Sequence, residues 1–314
     1  MQPGGHWDRS ILQDVFQTMQ KHPIILIVGA FLLVVAGSVA VGLELILDTP
    51  FKEIGRTTEK ELKVVLSSSF GSLYVSKGES EKILVADAAA GNSSNPRMGI
   101  DYDIRNRVGY MDIMLGETEG DHDRRKGSFK ISNFDGGTWY LKFSNTLPIS
   151  FDVELGVGNG DFDLSGLQVK DFTLSTGASD VSLSFDEPNK TFIENLSIES
   201  GVSKFNGHKL GNANFKRFRF QGGVGAYTLD FGGNITSEVD VDVDVGLGVM
   251  TIIIPQNVGA RLFYEKSWVS RLDCDRDFLS VSDNEYETEN YGSADGKMNI
   301  RIDSGLGSIK VRRQ

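Results

Sequence analysis

The amino-acid sequence predicts an all-β fold: a β-solenoid-like stack of glycine-cornered strand repeats, preceded by a single N-terminal transmembrane helix. Three observations support this prediction. The chain of 314 residues contains 36 glycines but only 7 prolines, without the Gly-x-y period of collagen. From about residue 60, short runs alternate between apolar and polar residues, as half-buried strands do. Before that point, one uncharged apolar run is long enough to cross a bilayer.

That run, residues 24–47, is the predicted transmembrane helix. Ile24 to Leu43 are 20 consecutive residues without a charge, enough for a helix to span a hydrocarbon layer of roughly 30 Å. A cleavable signal peptide is the alternative, because Ser38-Val-Ala40 resembles a small-residue cleavage site. The long segment before the run and the apolar sequence after Ala40 favour a retained anchor.

The segments on either side of this helix are short. Residues 1–23 are predicted to be a cytoplasmic N-terminal segment with an amphipathic helix, because apolar residues between Ile11 and Met19 recur at helical spacing. A simple helical extension of the span before Pro23 is the alternative. Residues 48–60 are a predicted linker. A short tail, one span and a large following domain are typical of a protein with its tail inside. The sequence therefore predicts a single-pass protein of the cell membrane, with the β domain outside the cytoplasm.

The charge balance and the cysteine count exclude several functions. A formal net charge of −11 argues against nucleic acid as a partner, because phosphate binding requires a basic face. The single cysteine, Cys274, cannot form an intramolecular disulfide and has no evident catalytic partner. The sequence contains no nucleophile elbow, phosphate loop or dinucleotide fingerprint. We therefore predict no cofactor and no enzymatic activity.

The β-rich part of the sequence contains an internal repeat. Each unit has two small residues two positions apart, with apolar residues five and three positions before the first and four and six positions after it. Ser69 takes the first small position in the first unit, and Arg107 replaces it in the second. The glycines that are predicted to form the corners are Gly71, Gly109, Gly158, Gly160, Gly177, Gly201, Gly223, Gly225, Gly246, Gly248, Gly305 and Gly307.

The repeat predicts a strand, a tight corner and a second strand in each unit. The inward-facing positions change parity at the first small residue, so the chain must bulge or turn there. Glycine or serine suits a bend that is too narrow for a larger side chain. Because one unit cannot bury its apolar face alone, the units are predicted to stack. A pair of β-sandwiches is the structural alternative, which the shared corner register disfavours.

Stacking in register predicts contacts between neighbouring units. Arg217 and Arg219 precede their corner by the same number of residues as Asp240 and Asp242 precede the next. These four residues are therefore predicted to form ion pairs between adjacent strands. Asp240, Asp242 and Asp244 also share the outward face of one strand, which makes them weak candidate ligands for Ca²⁺. A solvated strand face explains their spacing equally well.

Two aromatic clusters are candidates for binding glycan rings or a protein partner. Packing inside the fold is the alternative interpretation for both. The clusters consist of Trp139, Tyr140 and Phe143, and of Phe263, Tyr264 and Trp268.

Two stretches of the sequence resemble bacterial families. Residues 61–115, which include Leu66–Gly78 and Ile83–Asp87, resemble the N-terminal toast-rack module of adhesin-type proteins. Gly246–Pro255 and Ser304–Val311 resemble the C-terminal domain of LiaF-like cell-wall-stress proteins. Both resemblances imply a stacked-strand β fold.

The resemblances also imply a division into modules and a function. A toast-rack-like β module is expected at residues 61–150, and a LiaF-like β-repeat module at residues 151–314. LiaF-like proteins regulate a membrane histidine kinase that senses envelope damage, although they have a multi-helix membrane domain where this chain has one predicted span. We therefore expect an interaction or regulatory module in the envelope-stress response, with an envelope protein such as a sensor kinase as partner.

Two other functions are compatible with the sequence. The first alternative is an adhesin-like or structural surface module that binds wall polysaccharide. A polysaccharide-active enzyme is less favoured, because no two acidic residues stand in a catalytic context.

Overall fold

The computed structural model describes residues 51–89, 97–116, 136–265 and 270–314. These residues form one mixed sheet of 16 strands and one short 3-10 helix, η1 (Leu210–Ala213). The all-β prediction is therefore confirmed. The strands are β1 (Lys52–Gly55), β2 (Glu61–Lys77), β3 (Lys82–Ala89), β4 (Arg97–Arg105), β5 (Val108–Gly116), β6 (Thr138–Phe143), β7 (Pro148–Asp163), β8 (Gln168–Ser184), β9 (Ile193–His208), β10 (Phe215–Asp230), β11 (Glu238–Ile254), β12 (Gly259–Tyr264), β13 (Ser270–Cys274), β14 (Phe278–Ser280), β15 (Glu285–Thr288) and β16 (Lys297–Arg313).

Long parallel strands form the centre of the molecule, in the order β2, β7, β8, β9, β10, β11 and β16. Each contains 16 or 17 residues, which is about three times the usual strand length. One register runs through all of them and aligns Gly71, Gly158, Ser179, Ser203, Gly225, Gly248 and Gly307. The predicted stacking of units is therefore the arrangement that the molecule adopts.

At the middle of each long strand, the side chains that point into the core change from one set of alternate residues to the other. In β11, the odd-numbered residues from Val239 to Val245 are buried, and after the bend the even-numbered residues from Met250 to Ile254 are buried. A straight strand would keep one parity throughout. Both halves of the strand therefore contribute to one hydrophobic core. This is the parity change that the repeat predicts.

Buried asparagines join the connections between successive strands. Asn189, between β8 and β9, donates hydrogen bonds from Nδ2 to the carbonyl oxygens of Val169 (2.7 Å) and Ala213 (3.0 Å). Asn212, in η1, donates from Nδ2 to the carbonyl oxygen of Phe185 (2.9 Å). Neighbouring coils are thus held by side chains as well as by strand pairing.

Different strands complete the two ends of the stack. At the N-terminal end, β5 pairs with the first half of β2 and β6 pairs with its second half. The antiparallel strands β3, β1 and β4 extend the sheet outward from there. At the C-terminal end, β12 and β13 pair with the two halves of β16, and β15 and β14 follow β12.

The prediction of a second repeat unit, with its corner at Arg107 and Gly109, is wrong. Arg107 and Gly109 do not form a corner, because β4 and β5 are an antiparallel hairpin. Asn106 and Arg107, with φ of 50° and 65°, form its two-residue turn. Positive φ at both central residues gives such a turn the twist of the flanking strands.

The register of β7 also differs from the prediction. Gly158 pairs with Gly71 and therefore occupies the second small position of the corner, not the first. Gly156 takes the first position. Gly160 lies beyond the corner, where an added Cβ would be 2.7 Å from the ring of Phe162. Because glycine occurs at all three alternate positions, the sequence of this strand is compatible with either register.

Several predicted segments lie wholly or partly outside the described residues. These include the N-terminal segment, residues 1–23, and the transmembrane helix, residues 24–47. Within the described ranges, no helix is long and apolar enough to cross a membrane. Strand β1 falls within the predicted linker, and the expected module boundary at residues 150 and 151 falls inside β7. The division into two modules stays a prediction.

Candidate interaction surface

The bend of each long strand packs closely against the bend of the strand before it. At the first small position, a Cβ added to the glycine would lie 2.5–2.8 Å from a carbonyl oxygen of the preceding strand. That oxygen is held in place by strand pairing, so a larger residue cannot be accommodated by a side-chain movement. The glycines of this first corner column are Gly156, Gly177, Gly201, Gly223, Gly246 and Gly305.

The second small position is restricted by its backbone conformation as well. Gly158, Gly248 and Gly307 have φ of +141°, +148° and +151°. At each of them, a Cβ would overlap the carbonyl oxygen of the glycine at the same position in the preceding strand. Ser179 and Ser203 occupy this second corner column in β8 and β9, where φ is not positive. The narrowness of the bend leaves the residue between the two columns at the surface.

The residues between the two columns form an exposed apolar row, which we call the corner ridge. Neighbouring members pair across adjacent strands and are therefore about 4.8 Å apart. The five larger side chains are 40% to 64% exposed. The corner ridge consists of Val157, Ala178, Val202, Val224, Leu247 and Leu306.

A groove of about 760 Å³, which we call the corner groove, runs beside the corner ridge and crosses strands from β2 to β11. The first corner column contributes Gly156, Gly177, Gly201, Gly223 and Gly246 to its lining. Its side is formed by the outward residues two positions before these glycines, and the carboxylates among them are Glu154, Glu199 and Asp244. The ridge residues directly follow these glycines in the chain, so the apolar row lies next to a groove whose wall carries negative charge.

The residues predicted to form ion pairs are adjacent in the sheet. Arg217 pairs with Asp240, and Asp242 lies between Arg219 on β10 and Arg301 on β16. In the described part of the chain, no ion pair of 4.0 Å or less joins these side chains. Strand pairing thus alternates positive and negative residues, whereas a ladder of direct ion pairs stays a prediction.

The acidic row of β11 is not gathered into a cluster that could hold a metal ion. Among the described residues, no group of three or more His, Cys, Asp or Glu side chains is placed to hold a metal ion. Asp240, Asp242 and Asp244 point outward at alternate positions of one strand, and the amide of Asn299 donates to Asp240 at 3.4 Å.

The structure divides the first aromatic cluster between the core and the surface. Trp139 and Phe143 are fully buried, as the packing alternative predicts. Tyr140 is exposed and stacks on Tyr74 of β2, with ring centroids 5.0 Å apart and planes inclined by 20°.

The second aromatic cluster is divided in the same way. Tyr264 is buried, whereas Phe263 is exposed and lies 5.7 Å from the guanidinium of Arg301. Trp268 lies outside the described residues.

The single cysteine lies at the C-terminal end of the stack. Cys274 is half-buried in β13. Burial raises the pKa of its thiol to about 12, and the neighbouring carboxylate of Asp273 adds to this effect. Since the thiolate is the reactive form, this thiol is expected to react slowly at neutral pH.

Comparison with protein families agrees with this architecture. The family model of the N-terminal domain of toast-rack proteins matches residues 47–206 and residues 189–253. The chain belongs to the toast-rack family. The two matches overlap in β9, which is consistent with a sheet built from repeated units. No curated protein sequence matches this toast-rack protein.

Solved structures show a distant similarity. One, a candidate cell adhesion protein from Clostridium sporogenes, is 20% identical, covers 84% of this chain and 98% of its own, and has a TM-score of 0.43. A second, a candidate adhesin from Bacteroides fragilis, is 15% identical, covers 83% of this chain and 95% of its own, and has a TM-score of 0.34.

Sequence reasoning missed the corner ridge, although a signal was present. The repeat was defined by the two small residues of each unit, and the residue between them carries the signal. That residue is apolar at Val202, Val224, Leu247 and Leu306, with small residues on both sides. An apolar residue enclosed by two glycines or serines in a recurring pattern thus marks an exposed row in this fold.

Proposed function

We propose that this toast-rack protein is a membrane-anchored, non-catalytic interaction module of the cell envelope. The corner ridge and corner groove together bind an extended segment of a partner protein that carries apolar and basic side chains. The observation that carries the proposal is the corner ridge itself: large apolar side chains are exposed side by side on consecutive strands. Contiguous exposed apolar surface of this kind is typical of interaction sites.

The dimensions of the corner ridge suit an extended segment. Its six residues lie on six consecutive strands, so the row is about 24 Å long at a strand spacing of about 4.8 Å. An extended chain rises about 3.3 Å per residue, so about seven residues would span it. Alternate side chains of that segment would contact the ridge.

The charge of the corner groove defines the chemistry of the partner. Glu154, Glu199 and Asp244 lie along its wall, and Asp303 continues this row on β16. Lysine or arginine side chains of a bound segment would lie opposite these carboxylates, and charge complementarity of this kind favours one partner over others. A second copy of this acidic chain lacks that complementarity.

The envelope role rests on the predicted anchor and on the resemblance of the corner sequences to LiaF-like proteins. Residues 24–47 would hold the β domain at the outer side of the membrane. A partner in the same membrane, such as a sensor kinase, would then expose its outer part in the same compartment as the β domain. Binding that changes with cell-wall stress would make this protein a regulator.

Site-specific photo-crosslinking in living cells tests the proposed contact. A photoreactive residue at position 224 on the corner ridge is expected to capture a protein, whereas the same residue at position 281 is not. Val281 is 56% exposed and lies away from the bends, so it controls for exposure. The captured peptide, identified by mass spectrometry, is expected to contain apolar residues together with Lys or Arg.

A second variant tests whether crosslinking depends on the corner ridge or on nonspecific binding. Val202→Asp in the same chain is expected to lower the crosslinking yield at position 224 at least about fivefold, because it places a charge in the apolar contact. Leu279→Asp, at a side chain that is 51% exposed on β14, should leave the yield unchanged. Equal yields at both crosslinking positions, or a yield insensitive to Val202→Asp, would contradict the proposed contact.

The orientation in the membrane is tested separately. In a Cys274→Ser background, a cysteine placed at the exposed Ser69 is expected to react with an impermeant thiol reagent in intact cells. Protection in intact cells, with labelling after lysis, would place the β domain in the cytoplasm instead.

A further inference from the structure

An exposed aromatic pair lies on the second half of the sheet, away from the corner groove. Tyr74 and Tyr140 are 39% and 41% exposed, and they pair across β2 and β6. Their rings stack with centroids 5.0 Å apart. One face of Tyr74 is therefore covered by Tyr140, and its other face is turned toward the next strand, β7.

Short polar residues continue the row beyond this pair. Asp161 is the partner of Tyr74 on β7, and the same position on the following strands is occupied by hydroxyl or amide side chains. Because these side chains are much shorter than tyrosine, the ring of Tyr74 rises above them as a step. The row, which we call the polar strip, consists of Asp161, Ser182, Asn206, Thr228 and Thr251.

The carboxylate of Asp161, next to Tyr74 in the sheet, is exposed. In the part of the chain that the structure describes, no ion pair and no hydrogen bond engages Asp161. Partial burial raises the pKa of this group, and the neighbouring carboxylate of Asp163 raises it further. A ligand that donates hydrogen bonds would stabilise the charged form of this exposed carboxylate. Asn159, two residues earlier on the same outward face, donates from its amide to the hydroxyl of Ser72 at 3.4 Å and has a second N–H for a ligand.

We propose that Tyr74 and the polar strip bind an uncharged polysaccharide, one pyranose ring of which stacks on the open face of Tyr74 and donates hydroxyl hydrogen bonds to Asp161. The apolar C–H face of a pyranose ring suits an aromatic face, and its equatorial hydroxyls suit carboxylate and amide partners. The repeated hydroxyl and amide side chains of the strip offer similar partners to the following sugar units.

The carboxylates at this site disfavour anionic polymers. Asp87 pairs with Tyr140 on the other side of the aromatic pair, and Asp161 and Asp163 lie beyond Tyr74. Carboxylates on both sides would repel a phosphate- or uronate-containing chain, as would the net charge of −11. The site therefore favours uncharged sugar chains over anionic ones.

Titration calorimetry of the full chain with sugar hexamers tests this site. The protein is kept in a detergent without a sugar headgroup, and the probes are β-1,4-linked hexamers of glucose and of N-acetylglucosamine. At least one hexamer is expected to bind, and Tyr74→Ala is expected to weaken that binding at least about fivefold. Asp161→Ala should weaken it by a similar factor, because it removes the hydroxyl acceptor.

Matched variants test whether binding requires Tyr74 itself or any exposed aromatic ring. Tyr110→Ala removes a tyrosine that is also 39% exposed but lies on β5, and it should leave the affinity unchanged. Tyr74→Phe keeps the ring and should bind within about twofold of the unaltered chain. The proposal is overturned if neither hexamer binds at concentrations up to about 10 mM, or if Tyr110→Ala weakens binding as much as Tyr74→Ala.

Discussion

The central stack and the N-terminal end of the sheet differ in the residue at the first small position of the corner. Every long strand from β7 onward has glycine at the first small position, whereas β2 has the exposed Ser69. In the stack, the space beside this position is filled by a carbonyl oxygen of the preceding strand. Beside β2, the strand pairing of the described residues leaves this position open, because β5 pairs only as far as Ser68 and β6 begins to pair at Ser72. The corner glycines therefore reflect the stacking of one bent strand on another.

The largest effect is expected where a positive φ and a backbone clash coincide. Gly248→Ala places a methyl group on the carbonyl oxygen of Gly225 at a residue with φ of +148°. We expect it to lower the free energy of unfolding by about 4 kcal/mol or more, or to prevent folding. Urea denaturation of the full chain in a non-ionic detergent, followed by circular dichroism, measures this effect.

Gly109→Ala at the N-terminal end is the matched control for this substitution. The atoms nearest to its added methyl group belong to the side chains of Tyr102 and Leu62, which can move. A cost below about 1 kcal/mol is expected. If Gly109→Ala were as costly as Gly248→Ala, backbone stacking would not explain the difference between the two regions.

The first corner column allows the comparison to be made within one position of the repeat. Gly177→Ala brings a methyl group to 2.5 Å from the carbonyl oxygen of Gly156, and we expect a loss of about 2–3 kcal/mol. Ser69→Ala, at the same position of β2, should change the free energy of unfolding by less than about 0.5 kcal/mol. The same urea titration measures both, and equal losses would contradict our explanation of the glycine column.

How much of the fold the sequence could predict depends on whether a feature is set by local sequence or by contacts between distant residues. The alternation of apolar residues and its change of parity depend only on local sequence, so the strand–corner–strand unit was predictable from β8 to β11. The same offsets placed Arg219 beside Asp242, as the strand pairing shows. In β7, three alternate glycines made two registers equivalent, and only the pairing with Gly71 decides between them.

Other features depend on contacts between strands that the local sequence does not reveal. The hairpin at Arg107 resembled a corner because a glycine follows two residues later. The identity of its turn depends on the positive φ of Asn106 and Arg107, which is set when β4 folds back on β5. The pairing of Tyr74 with Tyr140 was unpredictable in a similar way, because β6 follows β2 by more than sixty residues and reaches it only through the sheet.

At the N-terminal end a buried carboxylate is held by hydrogen bonds, whereas the corners of the stack depend on close backbone packing. Glu59, which is only 2% exposed, accepts hydrogen bonds from the backbone N–H of Thr57 (3.0 Å) and from its hydroxyl (2.8 Å). Burial by itself would raise the pKa of Glu59, but these hydrogen bonds outweigh it and lower the pKa below the ordinary 4.5. The charged form is thus stabilised by folding.

Glu59→Gln is expected to lower the free energy of unfolding by about 1–2 kcal/mol at pH 7. Because the pKa is lower in the folded protein, this contribution is present above pH 4.5 and is lost as the pH falls through the folded-state value. Urea titrations at pH 7 and near pH 3 should therefore show a difference between the two proteins that shrinks in acid. Glu194→Gln, at an exposed position of β9, serves as the control. A difference that is independent of pH would contradict the role of the carboxylate charge.

The smallest effect is expected from the alternating charges of the stack. A double-mutant cycle with Arg219→Ala and Asp242→Ala should give a coupling of at most about 0.5 kcal/mol at low salt and none at high salt, because solvent and ions screen exposed charges. The pair Lys82 and Glu53 at the N-terminal end, which are 2.7 Å apart, should couple more strongly than Arg219 and Asp242. The reverse order would mean that the stack holds its side chains in direct ion pairs, as the sequence predicts. Alternating charges would then stabilise the register of the stack as well as exclude mismatched pairings of its strands.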